Sequence, residues 1–141
     1  MKNDCVFCAI AAGEIPCRKI WEDADFLAYL DINPCSPGHA LVVPKEHYPD
    51  LAGIPDGVLR EFVSRVKKVA ALAVAATGCD GYNIVQNNGE AAGQTVRHIH
   101  FHVIPRRAGE VLSFKGSPAS PDDLDKAAAA YADAARRDCN P

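Results

Sequence analysis

In His98-Ile99-His100-Phe101-His102-Val103-Ile104 three histidines alternate with apolar residues. In an extended strand successive side chains point to opposite faces. His98, His100 and His102 therefore share one face, and Ile99, Phe101 and Val103 share the other. The apolar face can enter a core while three imidazoles line a polar site. Near neutral pH an imidazole serves as nucleophile, general base or metal ligand. From the strand alone all three uses stay open, beside the plain alternative of a polar-faced surface strand.

The pattern predicts a histidine strand over Arg97 to Ile104, stopped by Pro105. A strand at Tyr82 to Asn87 and a polar loop from Asn88 to Thr95 precede it, which suggests an antiparallel pair with the loop beside the histidines. Further upstream a long helix is expected from Asp56 to Thr77. Its stripe of Leu59, Phe62, Val63, Val66, Val69, Ala70 and Ala73 recurs at three and four, and Gly78 is its C-terminal cap. Short strands are read at Arg18 to Glu22, Phe26 to Leu30 and His39 to Val43, with Trp21 and Phe26 as core. Cys5 to Ala12 reads as a short helix ended by Gly13. A last helix starts near Ser120-Pro121, with Ser as N-cap and Pro in the first turn. Its Ala127 to Ala130 run is poor in large apolar groups and predicts a peripheral position. Segregated strands with one long helix indicate α+β architecture around an antiparallel sheet.

At 141 residues and 48% hydrophobic, the chain has the size and core of one domain. A net charge of −3 with interspersed signs offers no basic face for nucleic acid. The longest apolar stretch, Val69 to Ala76, is too short to span a bilayer. Met1-Lys2-Asn3-Asp4 runs on without a signal-peptide hydrophobic region, so a cytoplasmic location is the expectation. In a reducing cytosol the six cysteines do not predict disulfides. Cys17, Cys35, Cys79 and Cys139 are isolated and read as small core or surface residues, whereas Cys5-x-x-Cys8 has a spacing common in metal sites. The plain alternative is two thiols buried on one helix face.

Taken together, these motifs resemble the histidine triad (HIT) family of nucleotide hydrolases and transferases. The histidine stretch matches its triad. Asp31-Ile32-Asn33-Pro34, Pro37-Gly38-His39 through Pro44-Lys45-Glu46-His47, and Gly93-Gln94-Thr95-Val96 stand in the same order upstream. The resemblance runs from about Asp4 to Arg107, leaving 108–141 as an extension of the same single domain. It implies a sheet of about five antiparallel strands, a homodimer and a purine nucleotide site. It implies His100 as nucleophile, His102 as a phosphate contact and His39 as the partner that orients the nucleophile. Phe7 and Ile10 would line the base pocket, Asp31 and Ile32 the nucleoside, and Asn87, Gly93, Gln94 and Thr95 the phosphate. Zinc-containing members imply Cys5, Cys8, His47 and His98 as ligands of one structural zinc, since four protein ligands leave no open position.

The activity implied is cleavage of purine nucleoside 5′-phosphoramidates through a nucleotidyl-histidine intermediate. Thr95 and Pro105-Arg106-Arg107 resemble instead the branch that hydrolyses dinucleoside polyphosphates, and the stretch after Arg107 matches neither. Two other readings belong to different classes. One is a nucleotide-binding module with little turnover. The other is a metal-dependent hydrolase with all three triad histidines on a catalytic ion. Asp31 also reads as a loop cap, second to its nucleoside contact, and Arg106-Arg107 as a solvated pair ahead of contacts to outer phosphates.

Overall fold

A computed structural model describes residues 4–139; the side chains at 138 and 139, and with them the expectation for Cys139, lie outside the described residues. Five strands form: β1 (Lys19–Glu22), β2 (Phe26–Leu30), β3 (Ala40–Pro44), β4 (Gly81–Val85) and β5 (Phe101–Arg106). All pair antiparallel in one sheet of order β1-β2-β3-β5-β4. Helix α1 (Val6–Ala11), helix α2 (Asp56–Thr77) and helix α3 (Pro121–Cys139) complete the fold. No described helix is long and apolar enough to cross a membrane.

β2 and β3 are buried at every residue because both faces of the sheet centre are covered. One face packs Ala28, Leu30, Ala40, Val42 and Val103 against Phe62, Val66, Val69 and Ala73 of α2. The other packs Leu27, Tyr29, Leu41 and Val43 against Phe7 of α1. Trp21 is half-buried and packs at the rim of the α2 core. Val63, expected in the α2 stripe, is exposed instead.

α3 is not peripheral. Tyr131 is wholly buried, and its hydroxyl donates to the Gly38 carbonyl at 2.7 Å. One bulky aromatic thereby anchors an alanine-rich helix over the sheet, with Leu124 and Ala134 also buried. Gly38 accepts this close packing at φ +88°, where a Cβ would stand 2.6 Å from Thr77 Cγ2.

The histidine strand starts later than its alternation predicts. Residues 98–100 leave the ladder and bond to the turn after β3, Ile99 N–H donating to Tyr48 O at 2.7 Å. The alternation of faces survives, with Ile99 and Val103 in the α2 core. β5 also continues through Pro105. Its pairing to β3 ends at Val103, so the N–H that proline lacks breaks no bond on that side.

Candidate functional site

Hydrogen bonds set the tautomer of each triad histidine. His100 Nδ1 lies 2.8 Å from the His98 carbonyl, an acceptor only, so Nδ1 carries the proton. The lone pair is then on Nε2. His98 Nε2 lies 2.8 Å from the Pro44 carbonyl, which leaves its lone pair on Nδ1. His39 Nδ1 accepts from Cys35 N–H at 2.9 Å, so its proton is on Nε2. That proton is donated to His102 Nδ1 at 2.9 Å, and the free N–H of His102 is Nε2. His39 therefore orients His102, and the carbonyl of His98 orients the nucleophile candidate. This corrects the expectation that His39 would orient His100.

Burial keeps these rings neutral. It lowers His98 and His102 to about 4 and pulls His100 and His39 below the ordinary 6.5. Asp31 works against burial at His39, His100 and His102. Its Oδ2 is 3.5 Å from His39 Nε2 and 4.0 Å from His102 Nδ1. Its Oδ1 accepts from Asn33 N–H at 2.8 Å, so Asp31 caps the loop and also faces the imidazoles.

A cavity of about 730 Å³ opens beside these rings. Asp31, His39, Asn87, Gly93, Thr95 and His102 contribute to its walls, joined by Phe114 and Gly116 from beyond β5. His100 stands next to His102, ring centroids 5.0 Å apart, and makes a T-shaped contact with Phe7 of α1, centroids also 5.0 Å apart. Ile10 packs in the same apolar cluster as Phe7, and Ile32 is exposed on the loop after β2.

Gln94 departs from its expected role. Its side chain is buried, accepting from Gly89 N–H at 2.8 Å and donating to Pro49 O at 2.7 Å and Val96 O at 3.1 Å. It fastens the loop from below and does not face the cavity. The Gly93 and Gln94 amides are also engaged, with Glu90 O and Gly89 O. Arg106 is half-buried and Arg107 is exposed, and both also bond within the protein. Arg106 bonds Asn83 Oδ1 and Ser113 O, while Arg107 binds the carbonyls of Gly78 and Thr77 at the end of α2. The sequence missed Phe114 and Gly116, because an irregular segment carries no periodicity to aim its side chains.

Two clusters in this region group metal-type donors: Cys5, Cys8, His47 and His98, and Asp31, His39 and His102. In the first, His98 Nδ1 lies 3.3 and 3.5 Å from the two thiols, and His47 Nδ1 lies 3.3 Å from Cys8 Sγ. Tetrahedral bonds of about 2.3 Å to sulfur and 2.0 Å to nitrogen require ligand separations of about 3.5 Å. The set fits a four-coordinate metal, and His98 aims its lone pair at it. In the second cluster His39 Nδ1 already accepts an amide proton, so Nε2 keeps its own and offers no lone pair to a metal. That cluster is a hydrogen-bond relay.

A family model for the HIT domain matches residues 12–109. An adenosine 5′-monophosphoramidase of Schizosaccharomyces pombe is 43% identical over 123 residues, 85% of this chain and 90% of that protein. An adenylylsulfatase of Arabidopsis thaliana is 47% identical over 112 residues, 79% of this chain and 57% of that longer protein. Among solved structures, a zinc-bound histidine triad family protein from Mycobacterium smegmatis aligns over the whole of both chains, with TM-score 0.81 and 40% identity.

Proposed function

The chain belongs to the histidine triad family, and we propose from that premise that it hydrolyses purine nucleoside 5′-phosphoramidates through a nucleotidyl intermediate on His100. The observation that carries this reading is the proton on His100 Nδ1, held by the His98 carbonyl. It leaves Nε2 unprotonated for attack on phosphorus, and the carbonyl stabilises the positive charge that the ring acquires on bonding.

Attack forms the P–Nε2 bond and breaks the P–N bond to the leaving group, which departs as the amine after taking up a proton. Water then displaces His100 and releases the nucleoside monophosphate. His102 presents its Nε2–H as a fixed donor for a phosphoryl oxygen, preorganised by His39 and the Cys35 amide. Asn87, Gly93 and Thr95 bracket the phosphate, Asp31 and Ile32 take the nucleoside, and Phe7 and Ile10 the base. Phosphoramidates are favoured over other phosphorus bonds by the monophosphoramidase relative. The adenylylsulfatase relative supports a second reading, cleavage of an adenylyl anhydride by the same attack.

Zinc bound to Cys5, Cys8, His47 and His98 would supply structural cross-linking of α1 to the segment before β5. The protein would act as a homodimer, a single HIT domain per chain, in the cytoplasm, without nucleic-acid or membrane partners.

The test is turnover of adenosine 5′-phosphoramidate by the wild type and by His100→Ala, both verified as folded. AMP release abolished in the variant supports the reading; equal release by both overturns His100 as nucleophile. No release by the wild type, with adenylyl sulfate cleaved, moves the second reading ahead.

A further inference from the structure

The turn from Cys35 to His39 delivers His39 to the hydrogen-bond relay, and bonds at several points set its shape. Cys35 N–H donates to His39 Nδ1 at 2.9 Å, and His39 N–H donates to Ser36 O at 3.1 Å. Ser36 Oγ ties the turn to β5 by donating to Pro105 O at 2.6 Å. A further hold comes from α3, where Tyr131 Oη donates to Gly38 O at 2.7 Å in a buried bond.

Gly38 O and His39 N–H belong to one peptide group, and that group is planar. Tyr131 fixes its oxygen end and Ser36 O its N–H end, so the plane is held against tilting. Gly38 itself resists a tilt little, since a residue without Cβ moves freely through backbone conformations, and it stands at φ +88°. His39 Cα is attached directly to that plane, so a tilt swings the imidazole. Its Nε2–H meets His102 Nδ1 at 2.9 Å, and a hydrogen bond weakens steeply once its angle closes. Tyr131 is wholly buried, so water does not compete for the Gly38 carbonyl. Burial also pushes its hydroxyl well above the usual phenol range, which keeps it a donor at every working pH. It stands on α3, outside the 12–109 stretch that the HIT family model matches.

We propose that Tyr131 is a positioning residue for the reaction, acting through the Gly38–His39 peptide to hold His39 against His102. This rests on the proposed nucleotidyl transfer to His100.

The experiment compares Tyr131→Phe with the wild type, since phenylalanine keeps the buried ring and removes only the donor. For adenosine 5′-phosphoramidate kcat is expected to fall about fivefold, the scale of one neutral hydrogen bond. KM stays near its wild-type value, because His102 serves charge that develops in the transition state. In nitrogen NMR spectra of the ligand-free protein the ring signals of His39 and His102 shift, and those of His98 do not. A lower Tm with kcat and these signals unchanged overturns the proposal, because Tyr131 then only anchors α3. A fall in kcat with the His39 and His102 signals unmoved overturns it too. If the wild type releases no AMP, the parent reading fails and the spectra decide alone: shifted His39 and His102 signals uphold positioning by Tyr131, and unmoved signals overturn it. Should Tyr131→Phe not fold, the same spectra are read in Ser36→Ala, which frees the turn from β5 and leaves α3 untouched. Shifted signals there uphold the turn as the route to His39, and unmoved signals overturn it.

Discussion

Tyr29→Phe is expected to stabilise this protein although it deletes a polar group from the interior. Tyr29 Oη is the one buried side-chain oxygen or nitrogen among the described residues without a hydrogen-bond partner within the chain. It belongs to the apolar cluster of Phe7, Leu27, Leu41 and Val43, with Cys5 and Cys17 at its margin. Burial raises the hydroxyl's pKa far above the usual phenol value, so it stays neutral. A buried hydroxyl with no partner costs about 1–3 kcal/mol of desolvation. Removing one oxygen leaves a void worth about 0.3 kcal/mol at about 24 cal/mol per Å³. The edge-to-face contact with Phe7, centroids 5.8 Å apart, survives the change. The net is a gain of about 1 kcal/mol. For 141 residues at about 2 cal/mol/K each, that raises Tm by about 3 °C. Thermal unfolding of both proteins at one concentration and one metal content reads it directly. A Tm lowered by a similar amount would show instead that the hydroxyl has a partner that phenylalanine cannot serve.

Three other outcomes follow from the same geometry. Because burial lowers the pKa of His100 below 6.5, kcat/KM should fall in acid with its midpoint below pH 6.5; a midpoint above 6.5 would contradict it. Stability should also fall in acid: the unfolded chain protonates His102 from about 6.5 downward and the folded one only near 4, so about 3 kcal/mol is lost across that window, read by urea unfolding at stepped pH. Gln94→Ala should cost about 3 kcal/mol of stability by leaving Pro49 O, Val96 O and Gly89 N–H unmatched, and unchanged stability with a collapsed kcat would instead place that side chain at the substrate.

The order of elements was legible because periodicity reports burial. The 22 residues of α2 were bounded to the residue by their stripe and by Gly78. Phe26 to Leu30 was bounded equally well, since a turn of Asp and Ala precedes it and Asp31 ends it. The errors share a cause. Side chains that bond to backbone, such as Gln94 and Arg106, leave no trace in spacing, because their partners are carbonyls and amides that every residue has. Tyr131 was overlooked because one aromatic among alanines makes no stripe. Half of the metal cluster was legible in the Cys5-x-x-Cys8 spacing, and the other half only through resemblance, as His47 and His98 lie 39 and 90 residues from Cys8.

His98 joins the two halves of the site, and its three polar groups explain how. Its Nδ1 is turned to Cys5 and Cys8, its Nε2–H to the Pro44 carbonyl, and its own carbonyl to His100 Nδ1. Rotating its ring to serve the thiols with Nε2 would take away the N–H that Pro44 O accepts. Shifting its backbone would release the proton that fixes the His100 tautomer. Because neither can move alone, the first histidine of the triad couples the integrity of the cysteine cluster to the orientation of the second. Extraction of bound metal should therefore lower Tm and also reduce kcat, measured below the new Tm, more than it raises KM. A kcat untouched in a protein made markedly less stable by chelation would break that link. In that case His100 would be held by β5 alone, with the His98 carbonyl merely near it.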